Sequence, residues 1–211
     1  MRELGRECGA ELMIASPLSF ACLHRQAAEL AQSGLIGDPL HFSARFCARD
    51  RRLRLGRLAR AGVELARRLT GSPPRELIGV TASDAPRVLS IALRLADDRI
   101  ATWVCGEGDE AGISYELVGS DGSLRVSAPA ENAAGILTLS SQDGVEARCL
   151  PSRVQLEGAL EQASAAILAG RERGAAAQEA LAAERIQRAI ARELRQPSSV
   201  RLKNLLRAAA S

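Results

Sequence analysis

Between residues 75 and 150 the chain reads as a succession of short β-strands with almost no helical periodicity, and any fold must accommodate that stretch. The runs are 76–82, 87–95, 99–105, 113–118, 123–126, 135–139 and 145–149. Several alternate apolar with polar residues, the mark of a sheet with one covered face. The breaks carry turn chemistry: Asp97-Asp98, Gly106-Glu-Gly108, Asp121-Gly122 and Asp143-Gly144. Asp-Gly between two apolar runs is a strong hairpin signal, because glycine takes positive φ cheaply. The stretch predicts a mostly antiparallel sheet built from hairpins.

The flanking segments supply helices. Residues 2–8 read as a short helix stopped by Gly9 and followed by a strand at 11–15. That is the closing αβ step of a parallel sheet, a strand that needs neighbours this sequence does not hold. Residues 20–33 read as a helix with Leu23, Ala27, Leu30 and Ala31 on one face, and 41–48 as an alternating strand. From 57 to 69, Leu58, Ala61, Gly62, Leu65, Ala66 and Leu69 keep i, i+3, i+4 spacing until Gly71-Ser-Pro-Pro74 ends the helix. Beyond the sheet, Leu156, Leu160, Ala163 and Ile167 mark another amphipathic helix, and 175–195 reads as the longest one, ended by Pro197.

The fold class that follows is α+β: an open, mostly antiparallel sheet with helices at 57–70, 153–170 and 175–195 over one face. Ile91, Leu93 and Leu95 lie on one face of their strand, and Val88, Ser90, Ala92 and Arg94 on the other. Trp103 and Ile100 also sit on opposite faces. Apolar side chains on both faces imply that the second is not simply wet, so an isologous homodimer through the sheet is expected. Trp103 is its first candidate anchor should that residue's face be the uncovered one.

Composition closes off several functions. The aromatic share of 2% is too low for a base-stacking surface, and a net charge of +3 implies no polyanionic partner, so no nucleic acid is expected. Cys8, Cys22, Cys47, Cys105 and Cys149 are scattered and never form a CxxC pair, which fits buried free thiols in a reducing cytoplasm and no metal site. No run approaches the ~20 apolar residues of a membrane span, and the first residues lack a signal-peptide core. A soluble, cytoplasmic protein is expected.

Chemical motifs are few. Gly106-Glu-Gly108-Asp-Glu-Ala111 matches G-x-G-x-x-A after a strand. A pyrophosphate cradle requires a helix N-terminus next, and Gly112 opens another strand, so the stretch reads as a hairpin loop. His24 and His41 have no ligand-forming neighbours in sequence and read as structural or surface residues. Glu179, Glu184 and Glu193 interleave with arginines along 175–195, which reads as a solvated helix face.

The order of the segments resembles a known family. Gly9-Ala-Glu-Leu-Met-Ile-Ala15, a helix, Ser33-Gly-Leu-Ile-Gly37-Asp-Pro39 and the 41–48 strand resemble the glucose–fructose oxidoreductase/inositol dehydrogenase (Gfo/Idh/MocA) family just after its nucleotide-binding half. Leu69-Thr-Gly71-Ser-Pro-Pro74 is similar to the family's L-x-G-x-x-P helix exit. Asp97-Asp98-Arg99-Ile-Ala101 and Glu116-Leu-Val-Gly119-Ser-Asp121-Gly122-Ser-Leu124 resemble two of its strand pairs. Residues 160–170 and 180–191 resemble its two closing helices. The resemblance implies three parts: 1–16 as the remnant of the last αβ unit of a nucleotide-binding domain, 17–196 as the C-terminal domain, and 197–211 as a basic tail. It also implies a second subunit on the free sheet face, with nicotinamide cofactor and substrate on the helix side.

The departures are large. No Gly-rich Rossmann loop is present, and neither is the Glu-Lys-Pro segment whose lysine acts in catalysis; Lys203, the sole lysine, lies in the tail. The family's D-x-x-x-H-x-x-D stretch, registered on Gly71, places its Asp on Arg57, its His on Ala61 and its last Asp on Glu64. Only Glu64 keeps a carboxylate, so it is the single candidate catalytic residue, and the imidazole of the family's proton relay is missing. The expectation is an oxidoreductase-like C-terminal domain with no cofactor site of its own, acting as an oligomerisation or binding module. The alternative is a truncated or split NAD(P)-dependent sugar- or polyol-type dehydrogenase, whose Rossmann half comes from missing sequence or from a Rossmann-bearing partner.

Overall fold

A computed structural model describes residues 21–49, 55–82, 88–107, 111–129, 134–151, 164, 184–186 and 188–192. Helix α1 spans Cys22–Gln32, strand β1 Pro39–Ala48 and helix α2 Leu55–Thr70. Seven strands follow: β2 Pro74–Ala82, β3 Val88–Leu95, β4 Ile100–Glu107, β5 Gly112–Gly119, β6 Ser123–Ala128, β7 Ala134–Ser141 and β8 Gly144–Pro151. The expected helix and strand at 2–8 and 11–15, and the helix at 153–170 apart from Ser164, lie outside the described residues.

All eight strands form one sheet in the order β2-β3-β4-β1-β5-β6-β7-β8. Every neighbouring pair is antiparallel except β1 with β4, which is parallel, with Arg45 beside Val104. Three expected hairpins are present at Asp97-Asp98, Asp121-Gly122 and Asp143-Gly144, joining β3–β4, β5–β6 and β7–β8. The fourth is not a hairpin. β4 and β5 are separated by β1, so they are not paired, and residues 108–110 between them lie outside the described residues. β1 takes backbone hydrogen bonds from both, which local turn chemistry cannot reveal.

Alternation sorts each strand into a covered and an open side. Phe42, Phe46, Leu89, Ile91, Leu93, Leu95, Trp103, Leu117, Leu124, Val126 and Leu137 are buried on the helix side. Each fully buried Leu or Phe contributes about 1.5–3 kcal/mol relative to exposure. α2 packs on β1, β3 and β4, whereas α1 packs on β6, β7 and β8. α1 is therefore a covering helix, in addition to the ones expected. Farther along the chain, residues 184–186 and 188–192 are helical, and Ile190 is buried in the same core.

The buried arc of α2 is Ala59, Gly62, Val63, Leu65, Ala66, Leu69 and Thr70, while Leu58 and Ala61 sit at its margin. Trp103 is 2% exposed beneath this helix, so it is a core residue and not an anchor on the free face. Of the described cysteines only Cys105 is buried; Cys22 and Cys47 are half-buried and Cys149 is exposed, which corrects the expectation of buried thiols.

Two stretches that carried the family resemblance meet in space. The Gly34–Pro39 turn stacks on the Gly119–Gly122 turn through Ser120 N donating to Asp38 O at 3.0 Å and Asp121 N to Ile36 O at 3.0 Å. Asp38 N donates in return to Ser120 Oγ at 3.1 Å. These bonds satisfy backbone groups of both turns and tie the approach to β1 to the β5–β6 turn.

Candidate functional site

Arg57, Ala61 and Glu64 all lie on α2, at i, i+4 and i+7, and so fall along one stripe of the helix. Arg57 is exposed, Ala61 and Glu64 half-buried. One turn after Glu64 comes Arg68. Burial holds the Arg68 guanidinium below its ordinary pKa, and the Glu64 carboxylate pulls it back up. Glu29 of α1 and Tyr115 of β5 also favour the Arg68 cation, whereas Arg67 opposes it. Glu64 thus lies close enough to Arg68 to favour its charged form.

Sequence reasoning did not connect His24 with Tyr115. His24 Nδ1 lies 2.9 Å from the Tyr115 hydroxyl, both side chains being buried, and the imidazole tautomer sets which of them donates. Their ring centroids are 5.6 Å apart, and Phe42 packs 6.1 Å from Tyr115 on the other side. Burial, helped by the nearby Arg68 charge, pushes the His24 pKa down to about 4. Burial likewise drives the Tyr115 phenol well above its usual range. Near neutral pH the pair is uncharged. His24 is 2% exposed and Tyr115 3%, so the bond ties α1 to the centre of the sheet and presents no group to a substrate. The one available signal was His24's place on the same helical arc as Ala27, Ala28 and Ala31.

His41 lies on the opposite side of the sheet, half-buried, with Nε2 3.3 Å from Thr102 Oγ1. Among the described residues no group of three or more His, Cys, Asp or Glu side chains could hold a metal. No described helix is long and apolar enough to cross a membrane.

The open side of the sheet has its own organisation. Register aligns Ser43 with Glu116 and Arg45 with Ser114 between β1 and β5, and Glu116 with Arg125 between β5 and β6. These residues line a shallow groove of about 290 Å³. Arg125 donates to Glu116 Oε1 at 2.9 Å. On either side the surface turns apolar. Val88, Ile100 and Val104 are 44%, 41% and 39% exposed on one flank, and Ile136 and Val145 are 53% and 73% exposed on the other.

No family model and no curated protein matches the sequence. Solved structures share the fold. An aldose–aldose oxidoreductase from Caulobacter crescentus, complexed with glycerol, superposes with a TM-score of 0.70 at 20% identity, over 91% of this chain and 64% of that one. The 3-ketoreductase KijD10 from Actinomadura kijaniata, in complex with NADP and TDP-benzene, gives 0.68 at 20% identity, over 89% of this chain and 64% of that one. In its complex with NADP it gives 0.64 at 21%, over 86% and 60%. The chain thus spans 60–64% of the length of these oxidoreductases and has the mixed, mostly antiparallel sheet expected for a Gfo/Idh/MocA C-terminal domain.

Proposed function

We propose that this chain is an oxidoreductase-like domain of Gfo/Idh/MocA type that lacks a cofactor site of its own and works as a self-association and binding module. The observation that carries the reading is the state of the imidazoles around α2. The helix itself offers one carboxylate, Glu64, and no histidine. The histidine that α1 brings toward it, His24, is sealed against Tyr115. A proton relay needs an imidazole within reach of the substrate, and that requirement is unmet on this face. The open face, by contrast, presents apolar flanks of the kind that homodimers cover.

Titration calorimetry with NAD and with NADP tests the reading. The expected result is no saturable heat at micromolar concentrations, since no strand–Gly-loop–helix unit occurs among the described residues. A dissociation constant in the low micromolar range overturns it. Light scattering should give about twice the 22.4 kDa chain mass. A monomer at all concentrations removes the self-association part.

The fractional coverage favours a second reading. Because the matched oxidoreductases are longer than the region they share with this chain, a nucleotide-binding half could come from further sequence or from a Rossmann-bearing partner. Glu64 would then face substrate as the only carboxylate retained at the family's positions. An in-frame Gly-rich loop and Glu-Lys-Pro segment in the DNA upstream of Met1 would support that reading. In this reading Glu64→Gln lowers turnover in the completed enzyme, and in the module reading it alters stability alone.

A further inference from the structure

The middle of the open face is a hollow whose hydrogen-bonding groups are largely unused. Between β1 and β5, Ser43 stands beside Glu116 and Arg45 beside Ser114, so each long side chain has a serine as its lateral neighbour. That alternation of long and short opens the groove of about 290 Å³, which Arg125 of β6 bounds and Ala44 and Tyr115 floor. Among the described residues neither the Ser43 nor the Ser114 hydroxyl has a hydrogen-bond partner, although both residues are half-buried. Arg45 is exposed and uses only its Nε, which donates to Cys47 Sγ at 3.3 Å; its Nη groups pair with no described carboxylate. Glu116 accepts from Arg125 through Oε1 at 2.9 Å and keeps its other oxygen. Two arginines against one glutamate leave the groove with one positive charge in excess.

We infer that this groove is a binding site for a small hydroxylated carboxylate. The inference gives the binding module proposed above a ligand class, and rests on that reading. The excess charge and the free Nη groups of Arg45 suit one carboxylate, which a guanidinium grips through two parallel N–H bonds. The free Glu116 oxygen requires a donor, and a ligand hydroxyl supplies it. The two serines, able to donate and to accept, take the hydroxyls beside it. Arg45 and Glu116 are diagonal neighbours with backbones about 7–8 Å apart, the span of a four-carbon chain with its end groups. An unhydroxylated carboxylate leaves Glu116 without a donor, a neutral polyol leaves Arg45 unpaired, and a phosphate monoester brings one charge too many. The groove is small for a ligand site and open to solvent, so a dissociation constant of about 1 mM is expected. The exposed apolar residues lie on the flanks, so ligand binding and self-association use different residues of one face.

Amide chemical-shift titration of the isotope-labelled full chain with threonate, a four-carbon carboxylate bearing hydroxyls, tests this. Saturating shifts are expected at Arg45, Ser114 and Glu116, with butyrate and threitol each binding at least tenfold more weakly. Arg45→Gln should abolish the response to threonate. Glu116→Ala should erase the preference for threonate over butyrate. Arg148→Gln, at an exposed arginine of β8 outside the groove, should change nothing. Thermal unfolding checks that each variant folds, with Ser114→Ala as a milder replacement expected to weaken threonate severalfold. Shifts that do not saturate at these amides, a response to butyrate equal to that to threonate, or binding retained in Arg45→Gln overturn the site. The module reading fails on different measurements, a low-micromolar affinity for NAD or NADP or a monomer by light scattering, and neither result moves the threonate titration.

Discussion

Gly62 of α2 lies flat against the indole of Trp103 in β4: a Cβ built on Gly62 falls 2.5 Å from both Cε2 and Nε1 of the ring. The missing side chain is what lets α2 approach the sheet closely enough to bury the largest residue of the core. Trp103 Nε1 finds no acceptor among the described residues, so the ring is held by packing. Gly62→Ala therefore has to push the helix or the indole aside. A helix-interior Gly→Ala change ordinarily gains up to about 1 kcal/mol. Here overpacking should outweigh that gain, for a net loss of about 1–2 kcal/mol. Chemical denaturation with Trp103 fluorescence as the probe reads it directly, and a stabilised variant would mean that α2 stands off the sheet.

The burial of His24, beside the Arg68 charge, predicts an acid-sensitive fold. His24 has a folded pKa of about 4 against an ordinary 6.5. Above pH 6.5 both folded and unfolded chains are neutral at this position and the full stability is present. As pH falls from 6.5 toward 4, the unfolded chain binds a proton that the folded chain refuses, and stability declines by up to about 1.4 kcal/mol per pH unit. Below about 4 this loss levels off. His24→Gln should flatten the stability profile between pH 6.5 and 4 while lowering its plateau. Tyr115→Phe keeps the ring but leaves a buried imidazole nitrogen without its partner, at a cost of about 1–3 kcal/mol. Identical pH profiles for wild type and His24→Gln would place the titration elsewhere.

Arg99 holds three segments at one end of the sheet. Nη1 donates to Pro39 O at 2.8 Å, Nη2 to Thr70 O at 3.2 Å, and Nε to Asp97 Oδ2 at 2.7 Å. The start of β1, the end of α2 and the β3–β4 turn are thereby joined through one guanidinium, whose planar fork suits several acceptors at once. Arg99→Ala should cost about 2 kcal/mol and Arg99→Lys nearly as much, because an ammonium cannot reach both carbonyls and the carboxylate. The Arg99 hydrogen bond is the main reason that the Asp97 carboxyl is lowered to about 2. Its contribution is present above the usual carboxyl pKa and fades as pH falls toward 2. A melting temperature unchanged in Arg99→Ala would show that the junction is held without it.

Strand identity was legible because burial on one face writes itself as alternation: Leu89, Ile91, Leu93 and Leu95 of β3 are buried, and Val88 is exposed. Strand order was less so. Asp-Gly turns encode neighbours in sequence, which is enough for β5–β6 and β7–β8. Nothing in residues 39–48 announces that β1 will enter between β4 and β5, since Phe42 and Phe46 only state which face is covered. Trp103 could be assigned a face relative to Ile100, but which face the helices cover depends on contacts with α2 that alternation does not specify. The partnership of His24 with Tyr115 spans 91 residues and leaves no periodic trace. Glu64 was reachable through family register alone, and its relation to Arg68 follows from helical spacing once α2 is placed.

The stacked turns at the same end of the sheet as Arg99 offer a controlled comparison between two glycines. Gly34 and Gly37 both have positive φ, 83° and 69°. A Cβ at Gly34 meets nothing within 4 Å. A Cβ at Gly37 would run into the Ser120 and Asp121 side chains, which belong to the hydrogen-bonded junction with the Gly119–Gly122 turn. Gly34→Ala should thus lose only the conformational cost of a left-handed alanine, about 1 kcal/mol. Gly37→Ala carries the same cost and also has to displace Ser120 Oγ from Asp38 N, a bond of 3.1 Å, for a total of about 2–3 kcal/mol. Paired urea denaturation curves isolate the difference, because the two backbones start from nearly the same conformation. Removing the obstruction as well, with Gly37→Ala in a Ser120→Ala background, should recover part of the Gly37 loss but leave Gly34→Ala unaffected. Equal losses at the two glycines would mean that the turns do not press on each other in solution.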